Sequence, residues 1–297
     1  MKILYFAALG TALVSAQVVY APKGQPAVYT APHKPHTKLS DLKAKHKGQK
    51  QWRELIVDDK HLHSEYLFLP PGTKNPKAMH PDTRAWWVVM EGEVRFDIED
   101  TPPVMAKKGS MVQVPFQTFF SYEVTGSSPA LIFETNIAGA KTLYAELADA
   151  PKIPGIEFIK TRYMSRVKGD WLHDNKPHAT YDEVAAKIDK GELKGTIRIV
   201  QDDRGTANFI YGYNSKLPPL DEKNKGHYHP EGAEYWLIMS GKIRYPIENV
   251  GVVIAEEGDV VYVPPFTWHA PRWWGDGASC RLAMNGFPQI THLFEAH

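Results

Sequence analysis

Short runs of β-branched and aromatic residues, separated by turn residues, recur along the chain. In the C-terminal half they occupy residues 196–200, 234–239, 243–245, 251–254 and 260–263. Ser240-Gly241 and Glu257-Gly258-Asp259 supply turns between these runs. Strands this short, at this spacing, predict an all-β sandwich or barrel. The 22 glycines and 23 prolines agree with many turns and few long helices.

The chain also repeats itself. Residues 80–96 match residues 229–245 at a constant offset of 149 (229 − 80). The same offset relates two further pairs of residues: Gly109 with Gly258, and Pro115 with Pro264. A fixed period of this kind indicates a tandem duplication, so we expect two copies of one β architecture.

One short helix is expected between the copies. Thr180 and Glu183 form a capping box ahead of an apolar stretch, and Gly191 can end the helix in the left-handed conformation. The predicted organisation has five parts: a signal peptide at residues 1–16, a lead-in segment at 17–50, an N-terminal barrel at 51–150, a linker with the helix at 151–195, and a C-terminal barrel at 196–297.

The N-terminus has the pattern of a secretory signal. Lys2 gives a positive start, residues 3–13 are mostly apolar, and Val14-Ser15-Ala16 offers a small-residue cleavage site before Gln17. The apolar run is shorter than the roughly 20 residues needed to span a bilayer. We therefore expect a secreted or periplasmic protein, with an uncleaved N-terminal anchor as the alternative. The single cysteine, Cys280, rules out an internal disulfide and is interpreted as a buried apolar residue.

The charge balance gives no field that would attract nucleic acid or an anionic membrane. The chain has 297 residues, with 35 basic and 34 acidic side chains and a formal charge of +1. We expect a small-molecule substrate and neither nucleic acid nor a membrane as partner. Two fused barrels can emulate a dimer of single barrels, so both a monomer and a homo-oligomer remain open.

A cluster of histidines in the second copy has the spacing of a metal site. His227 and His229 lie two residues apart, which places both imidazoles on one face of a strand. Glu234 follows five residues after His229 and would face the opposite way on an unbroken strand. The segment Pro230-Glu231-Gly232 supplies a break that can reset the alternation. A strand and a proline turn over residues 258–269 bring His269 toward the same interior.

These residues form the pattern Gly226-x-His-x-His-Pro-x3-Glu-x6-Gly241, followed by Gly258-x5-Pro264-x4-His269. The pattern resembles the two motifs of the cupin superfamily, and its first part is closest to the germin-like branch. The resemblance implies a bicupin with two tandem jelly-roll β-barrels. It also implies that His227, His229, Glu234 and His269 bind one divalent transition metal ion, with Mn, Fe, Cu, Ni and Zn among the candidates.

The predicted ligand set of three imidazoles and one carboxylate suits a borderline first-row ion. It leaves two positions of an octahedron for water or substrate. One departure from the resemblance is Phe266, which stands where the second motif commonly has glycine. We therefore expect a differently shaped turn before His269.

The first copy lacks this ligand set. Its equivalent positions hold Ala78, His80, Ala85 and Phe120, so we expect no metal there. A substitute site built from His61, His63 and His80 is an alternative, because the first two share a strand face. We favour a structural role, in which three phenylalanines fill the former site: Phe116, Phe119 and Phe120.

Three residues near the second site are candidates for catalysis. Trp236 shares the face of Glu234, so it lines the cavity and favours a flat or apolar substrate, or else it only fills the core. Glu231 lies in the turn between ligands and is a general acid or base if it points inward, or a solvated turn residue otherwise. In cupin oxalate enzymes, an arginine shortly before the first histidine typically holds the substrate. None is present at residues 221–225, although Lys225 or Arg244 could substitute.

Three functions fit these residues. The first, which we favour, is a metal-dependent oxidoreductase of the dioxygenase type acting on a small oxygenated or aromatic compound. The second is an Mn- or Zn-dependent isomerase, decarboxylase or lyase that stabilises an enolate. The third is a non-enzymatic protein that binds a metal ion or a small ligand, because a fold does not establish turnover.

Overall fold

The computed structural model describes residues 18–286 and 289–296. The predicted signal peptide therefore lies outside the described residues. The first half of the described chain contains α1 (Leu39–Lys45) and these strands: β1 (His36–Thr37), β2 (Trp52–Asp58), β3 (Leu62–Leu69), β4 (Ala78–Met79), β5 (Ala85–Glu91), β6 (Glu93–Ile98), β7 (Val104–Lys107), β8 (Ser110–Val114), β9 (Phe120–Val124), β10 (Ala130–Ile137) and β11 (Leu143–Tyr144).

The second half contains α2 (Tyr181–Asp189) and these strands: β12 (His178–Thr180), β13 (Thr196–Asp202), β14 (Gly205–Tyr213), β15 (His227–Tyr228), β16 (Glu234–Ser240), β17 (Lys242–Ile247), β18 (Gly251–Glu256), β19 (Val260–Val263), β20 (Arg272–Trp274), β21 (Ala278–Asn285) and β22 (Leu293–Phe294). Each apolar run that the sequence pattern marked in this half lies within one of these strands. Within the described residues, no helix is both long and apolar enough to cross a membrane.

The strands form two barrels of matching design. In the N-terminal barrel a sheet ordered β12-β8-β5-β10-β3-β2 faces a sheet ordered β11-β4-β9-β6-β7. In the C-terminal barrel a sheet ordered β1-β19-β16-β21-β14-β13 faces the strands β18-β17-β20 and the pair β15-β22. The prediction of an all-β chain with two tandem jelly-roll barrels is confirmed.

The lead-in and the linker each add a strand to a barrel. β1 pairs with β19 of the C-terminal barrel, with His36 opposite Val261. β12 pairs with β8 of the N-terminal barrel, with His178 opposite Val112. Asp259 fastens the lead-in, because its carboxylate lies 2.7 Å from Nε2 of His36 and accepts the Leu39 amide at 3.0 Å. The lead-in is thus part of the second barrel's sheet, which its weak apolar pattern did not predict.

The linking helix has the predicted start and end. α2 begins after Thr180, whose side chain accepts a hydrogen bond from the Glu183 amide at 3.2 Å. Gly191 follows the helix with φ +75°, the left-handed conformation that glycine favours. Val184 and Ala185 are buried, so the apolar face of α2 packs onto the barrels.

A shared apolar core joins the two barrels. Strand alternation sends one set of side chains inward and the other set toward the partner barrel. Leu62, Tyr66 and Trp86 from the first barrel pack in one cluster with Phe209 and Leu237 from the second. Two further clusters fill the two barrel interiors separately. The large sheets of the two barrels therefore pack against each other through this shared cluster.

Candidate metal centre

The backbone brings His227 and His269 side by side. Their amides and carbonyls exchange hydrogen bonds, with N···O distances of 3.1 and 3.0 Å. Gly226 permits this approach, because it has φ +74° and an added Cβ would lie 2.0 Å from the carbonyl oxygen of His269. Only glycine fits there, since real Cβ contacts are never this short and the left-handed conformation disfavours other residues.

The predicted reset of strand alternation brings Glu234 back to the histidines. Residues 230–233 leave the strand geometry, and β16 then begins at Glu234, opposite Val263 and Asn285. Oε2 of Glu234 lies 3.0 Å from Nε2 of His229 and 3.4 Å from Nε2 of His269. The turn at residues 230–233 therefore places Glu234 on the side of the histidines, as the sequence predicts.

The turn before His269 keeps the conformation that glycine usually supplies. Phe266 has φ +61°, in the left-handed region, and its amide donates to the carbonyl of His229 at 2.8 Å. The expectation of a differently shaped turn is not met at the backbone. What differs is the side chain. The ring of Phe266 packs so closely on Gly24 that a Cβ added to Gly24 would lie 2.9 Å from it.

The four predicted ligands converge on one point. One ligand atom from each of His227, His229, Glu234 and His269 lies within 4.8 Å of all the others. Opposite ligands of an ion with bonds of about 2.1 Å are about 4.2 Å apart, so the spacing suits a single ion. His269, His229 and Glu234 are only 0, 2 and 5% exposed. Within residues 18–286 and 289–296, this is the one such group that could hold a metal ion.

Hydrogen bonds orient two of the imidazoles for metal binding. Nδ1 of His229 lies 2.7 Å from the carbonyl of Thr291, and Nδ1 of His269 lies 2.9 Å from the carbonyl of Thr267. A carbonyl only accepts, so Nδ1 carries the proton in both rings, and in the neutral imidazole the Nε2 lone pair faces the carboxylate. Lone pairs facing a carboxylate at this range repel unless a cation or a proton lies between them, and the cluster therefore fits a metal ion.

The protonation states also suit metal binding. Burial lowers the pKa of His227 to about 2, and the neighbouring His269 adds to the effect, so this imidazole is neutral. Burial would raise the pKa of Glu234, but the hydrogen bond with His229 and the nearby imidazole of His269 outweigh it and hold the pKa below its usual range. Burial opposes protonation of His229, yet Glu234 raises its pKa overall.

A cavity of about 460 Å³ opens on this cluster. Its volume lies in the range typical of small-molecule sites, roughly 300–1,000 Å³. Its wall combines polar groups with an apolar side and includes two arginines: Thr196, Arg198, Asn208, Ile210, His227, Glu234, Trp236, Pro271, Arg281, Asn285, Gln289, Ile290 and His292. Trp236 lines the cavity on the same face as Glu234, as its position in the strand predicts.

The other two catalytic candidates lie away from the cavity wall. Glu231 accepts a hydrogen bond from the hydroxyl of Thr291 and so ties the ligand turn to the C-terminal segment. Arg244 faces out of the barrel, because its neighbours Ile243 and Tyr245 point inward, and its guanidinium pairs with Glu222. The structure gives no support to a role for Glu231 as acid or base, or for Arg244 as a substrate anchor.

His292 and Arg281 are among the cavity residues that were not found from the sequence. The ring of His292 lies 4.8 Å from that of His227 and 4.6 Å from that of His229, centre to centre. His292 lies beyond both motifs, directly before β22, which pairs with β15. No motif spacing therefore pointed to it. Arg281 had a signal, because it alternates with the apolar Cys280 and Leu282 and must face the other way from them.

The N-terminal barrel keeps the framework of the site without its ligands. Ala78 pairs with Phe120 across the strands, as His227 does with His269. Nδ1 of His80 lies 2.9 Å from the carbonyl of Lys141, which parallels the Thr291 contact of His229. The ring of Phe120, which stands at the position equivalent to His269, lies 5.5 Å from the ring of His80, centre to centre.

The prediction that three phenylalanines fill this former site is wrong for two of them. Phe116 and Phe119 lie outside the buried core, and Lys77 and Arg166 cover the ring of Phe119 from the surface side. The alternative of a substitute site is not supported either. His63 pairs instead with Asp58 at 3.1 Å, and no cluster with His61 and His80 forms among the described residues.

Comparison with known proteins agrees with this architecture. The cupin domain family matches residues 66–136 and 215–284, one segment in each barrel. The chain belongs to the cupin superfamily. No curated protein sequence matches it.

Solved structures of other proteins share the fold at low sequence identity. A variant of salicylate 1,2-dioxygenase from Pseudoaminobacter salicylatoxidans has a TM-score of 0.60 and 12% identity, over 94% of this chain and 90% of that one. Oxalate decarboxylase from Bacillus subtilis has a TM-score of 0.53 and 15% identity, over 90 and 79%. A cupin 2 conserved barrel domain protein from Leptotrichia buccalis has a TM-score of 0.55 and 11% identity, over 88 and 97%. Identities this low establish the fold alone.

The close approach at Gly226 yields a test of the ligand geometry. In Gly226→Ala the added methyl group must push the His269 backbone away, so we expect the metal content to fall by most of its value. Gly275→Ala is the matched control, because Gly275 also has positive φ but open space around its Cβ position. Elemental analysis of both purified variants measures the effect. Equal metal content in the two would show that the approach of Gly226 to His269 does not matter for binding.

Proposed function

We propose that the chain is a metal-dependent bicupin enzyme, an oxidoreductase of the dioxygenase type that acts on a small oxygenated or aromatic compound. The observation that carries the proposal is the convergence of three imidazoles and one carboxylate at the wall of a cavity of about 460 Å³. Four protein ligands leave part of an octahedral shell free, which is what a site that binds substrate at the ion requires.

The residues divide the work of such a site. The ion would be held by His227, His229, Glu234 and His269. The carbonyls of Thr291 and Thr267 fix the rings of His229 and His269, respectively. The bound ion would supply Lewis-acid or one-electron redox chemistry. Trp236, Ile210 and Ile290 form the apolar side against which a flat substrate can stack. His292 lies beside two ligands and is placed to donate a hydrogen bond to a bound group.

The similar folds support both main readings of the chemistry. One similar protein is named a dioxygenase, and another is named a decarboxylase with Mn(II) centres. Non-redox chemistry as an isomerase, decarboxylase or lyase, with Mn or Zn, is therefore the second candidate. We place the dioxygenase first because the cavity has an aromatic wall at Trp236. A protein that binds a metal ion or a small ligand without turnover is the remaining alternative.

The metal assignment is tested by elemental analysis of the protein as isolated. We expect about one transition metal ion per chain, and near-complete loss in His227→Ala, because one of four ligands is removed. His80→Ala is the matched control, since His80 is a buried histidine at the equivalent strand of the other barrel. Unchanged metal content in His227→Ala, or a parallel loss in His80→Ala, would overturn the site.

The reaction class is tested by oxygen uptake. We expect the metal-loaded protein to consume oxygen with at least one member of a panel of catechols, flavonols, diketones and small hydroxy acids, and His227→Ala to consume none. Product formation without oxygen uptake would move the chain to the isomerase, decarboxylase or lyase class. Tight ligand binding without any product would identify a binding protein.

We further propose that the protein is exported. The proposal rests on the basic start, the apolar run and the small-residue site at the N-terminus. We expect the mature chain to begin at Gln17, which mass spectrometry of the protein recovered from a bacterial periplasm or culture medium measures. Recovery of the chain with residues 1–16 still attached, in the cytoplasmic fraction, would contradict export.

A further inference from the structure

Arg281 is a buried cation that faces the cavity. It lies on β21 and is 8% exposed, and its side chain lines the same space as His227 and Glu234. Its Nε atom is buried without a hydrogen-bond partner, and the guanidinium forms no ion pair with any described residue. An arginine has five donors in a fixed fork, and an unpaired buried charge is costly. A group outside the chain is the natural partner for it.

A second buried polar group lies near Arg281 and also lacks a partner. The hydroxyl of Tyr245 is buried in the barrel interior and forms no hydrogen bond within the described part of the chain. Tyr245 packs in the same interior cluster as Ile238, the residue opposite Arg281, and its ring lies 5.0 Å from that of Trp236 on the cavity wall, centre to centre. Buried polar groups are satisfied in the great majority of cases, and two exceptions within one barrel interior indicate a missing ligand.

The strand register separates Arg281 from the metal ligands along the cavity. Asn285 lies opposite Glu234, and Arg281 lies four residues earlier on the same strand, opposite Ile238. At about 3.3 Å per residue, their Cα atoms are roughly 13 Å apart. The cavity therefore has the candidate metal ligands at one end and a cation toward the other, with Trp236, opposite Ala283, on the wall between them and Ile210 level with Arg281.

The charge of this cavity favours an anion. Arg198 adds a second cation at the rim, where its Nε donates to Asn208 at 3.1 Å. Glu234 is the only carboxylate among the described residues that line the cavity, and its charge is engaged by the histidines. An arginine fork matches the two oxygens of a carboxylate, which it binds through two parallel hydrogen bonds.

We propose that Arg281, with the hydroxyl of Tyr245, binds a carboxylate group of the substrate, so that the substrate is a carboxylic acid that also reaches the metal centre. The assignment names the substrate class and rests on the proposed function for the part that involves the ion. Arg281 would thus take the role that cupin oxalate enzymes give to an arginine before the first histidine, a position where this sequence has no arginine. Arg281 is a substrate-binding residue in this scheme and touches no metal ligand.

The test is a calorimetric titration with three acids and their neutral amides. The pairs are 2-hydroxybenzoate with 2-hydroxybenzamide, lactate with lactamide, and oxalate with oxamide. We expect the wild type to bind at least one acid about tenfold or more tightly than its amide, which corresponds to about 1.4 kcal/mol or more. Arg281→Gln should lose this preference, and Arg281→Lys, which keeps the charge without the fork, should keep part of it.

Arg244→Gln is the matched control. Arg244 is a buried arginine of the same barrel that pairs with Glu222 outside the cavity, so the acid preference should survive its removal. An equal acid preference in Arg281→Gln, or the absence of any preference in the wild type, would overturn the proposal. Where Arg281→Gln does not fold, the lysine variant and the wild-type comparison decide.

Titrations of both metal-loaded and metal-free protein separate this inference from the proposed function. Absence of bound metal in the wild type would refute the metal-dependent enzyme, while the effect of Arg281→Gln on the acid preference would still decide the carboxylate site. Stoichiometric metal without an acid preference would leave the metal centre standing and refute the role of Arg281.

Discussion

The burial of the Glu234 carboxylate is the constraint on which the site in the second barrel depends. An isolated ionised carboxylate costs several kcal/mol to bury, so the chain must surround it with positive charge or with hydrogen-bond donors. His229 and His269 meet it with Nε2 atoms 3.0 and 3.4 Å away. Because their Nδ1 protons are committed to backbone carbonyls, these rings stabilise the carboxylate only with a second proton or with a shared cation. The local backbone, including Gly226 and the left-handed Phe266, serves to maintain that contact.

Duplication supplied one framework, and the two copies fill it in opposite ways. In the first barrel two interior carboxylates are paired within the chain: Glu65 lies 3.0 Å from Arg53, and Glu134 accepts a hydrogen bond from Trp87. Phe120 packs where the second barrel has His269. The chain's own residues thus satisfy these two carboxylates, and the first barrel supports the second through the shared core that includes Tyr66 and Leu237.

The fold and the four ligands could be predicted from sequence because their signals are local and repeated. Strand runs, the 149-residue offset and the motif spacing each depend on neighbours in the chain, and even the turn that realigns Glu234 is marked by Pro230 and Gly232. The lead-in could not be predicted, since β1 depends on an edge of β19 more than two hundred residues away. Arg244 was chosen by proximity to the motif, and strand alternation turns it outward. His292 belongs to neither motif, so only the folded chain reveals it.

The difference between the two interiors bears on what the second barrel binds. Evolution tolerates a buried polar group without a partner chiefly where a ligand completes it. Among the described residues, the second barrel leaves five such groups: Nε2 of His227, Nε2 of His269, Nε of Arg281, the hydroxyl of Tyr245 and Nε1 of Trp273. Nε2 of His269 is a lone-pair acceptor, because its Nδ1 carries the proton, and it needs a cation. Nε of Arg281 and the hydroxyl of Tyr245 can donate to an anion. A metal ion alone leaves these two donors without a partner, and for that reason we interpret the cavity as a site for a cation and an acid bound at the same time.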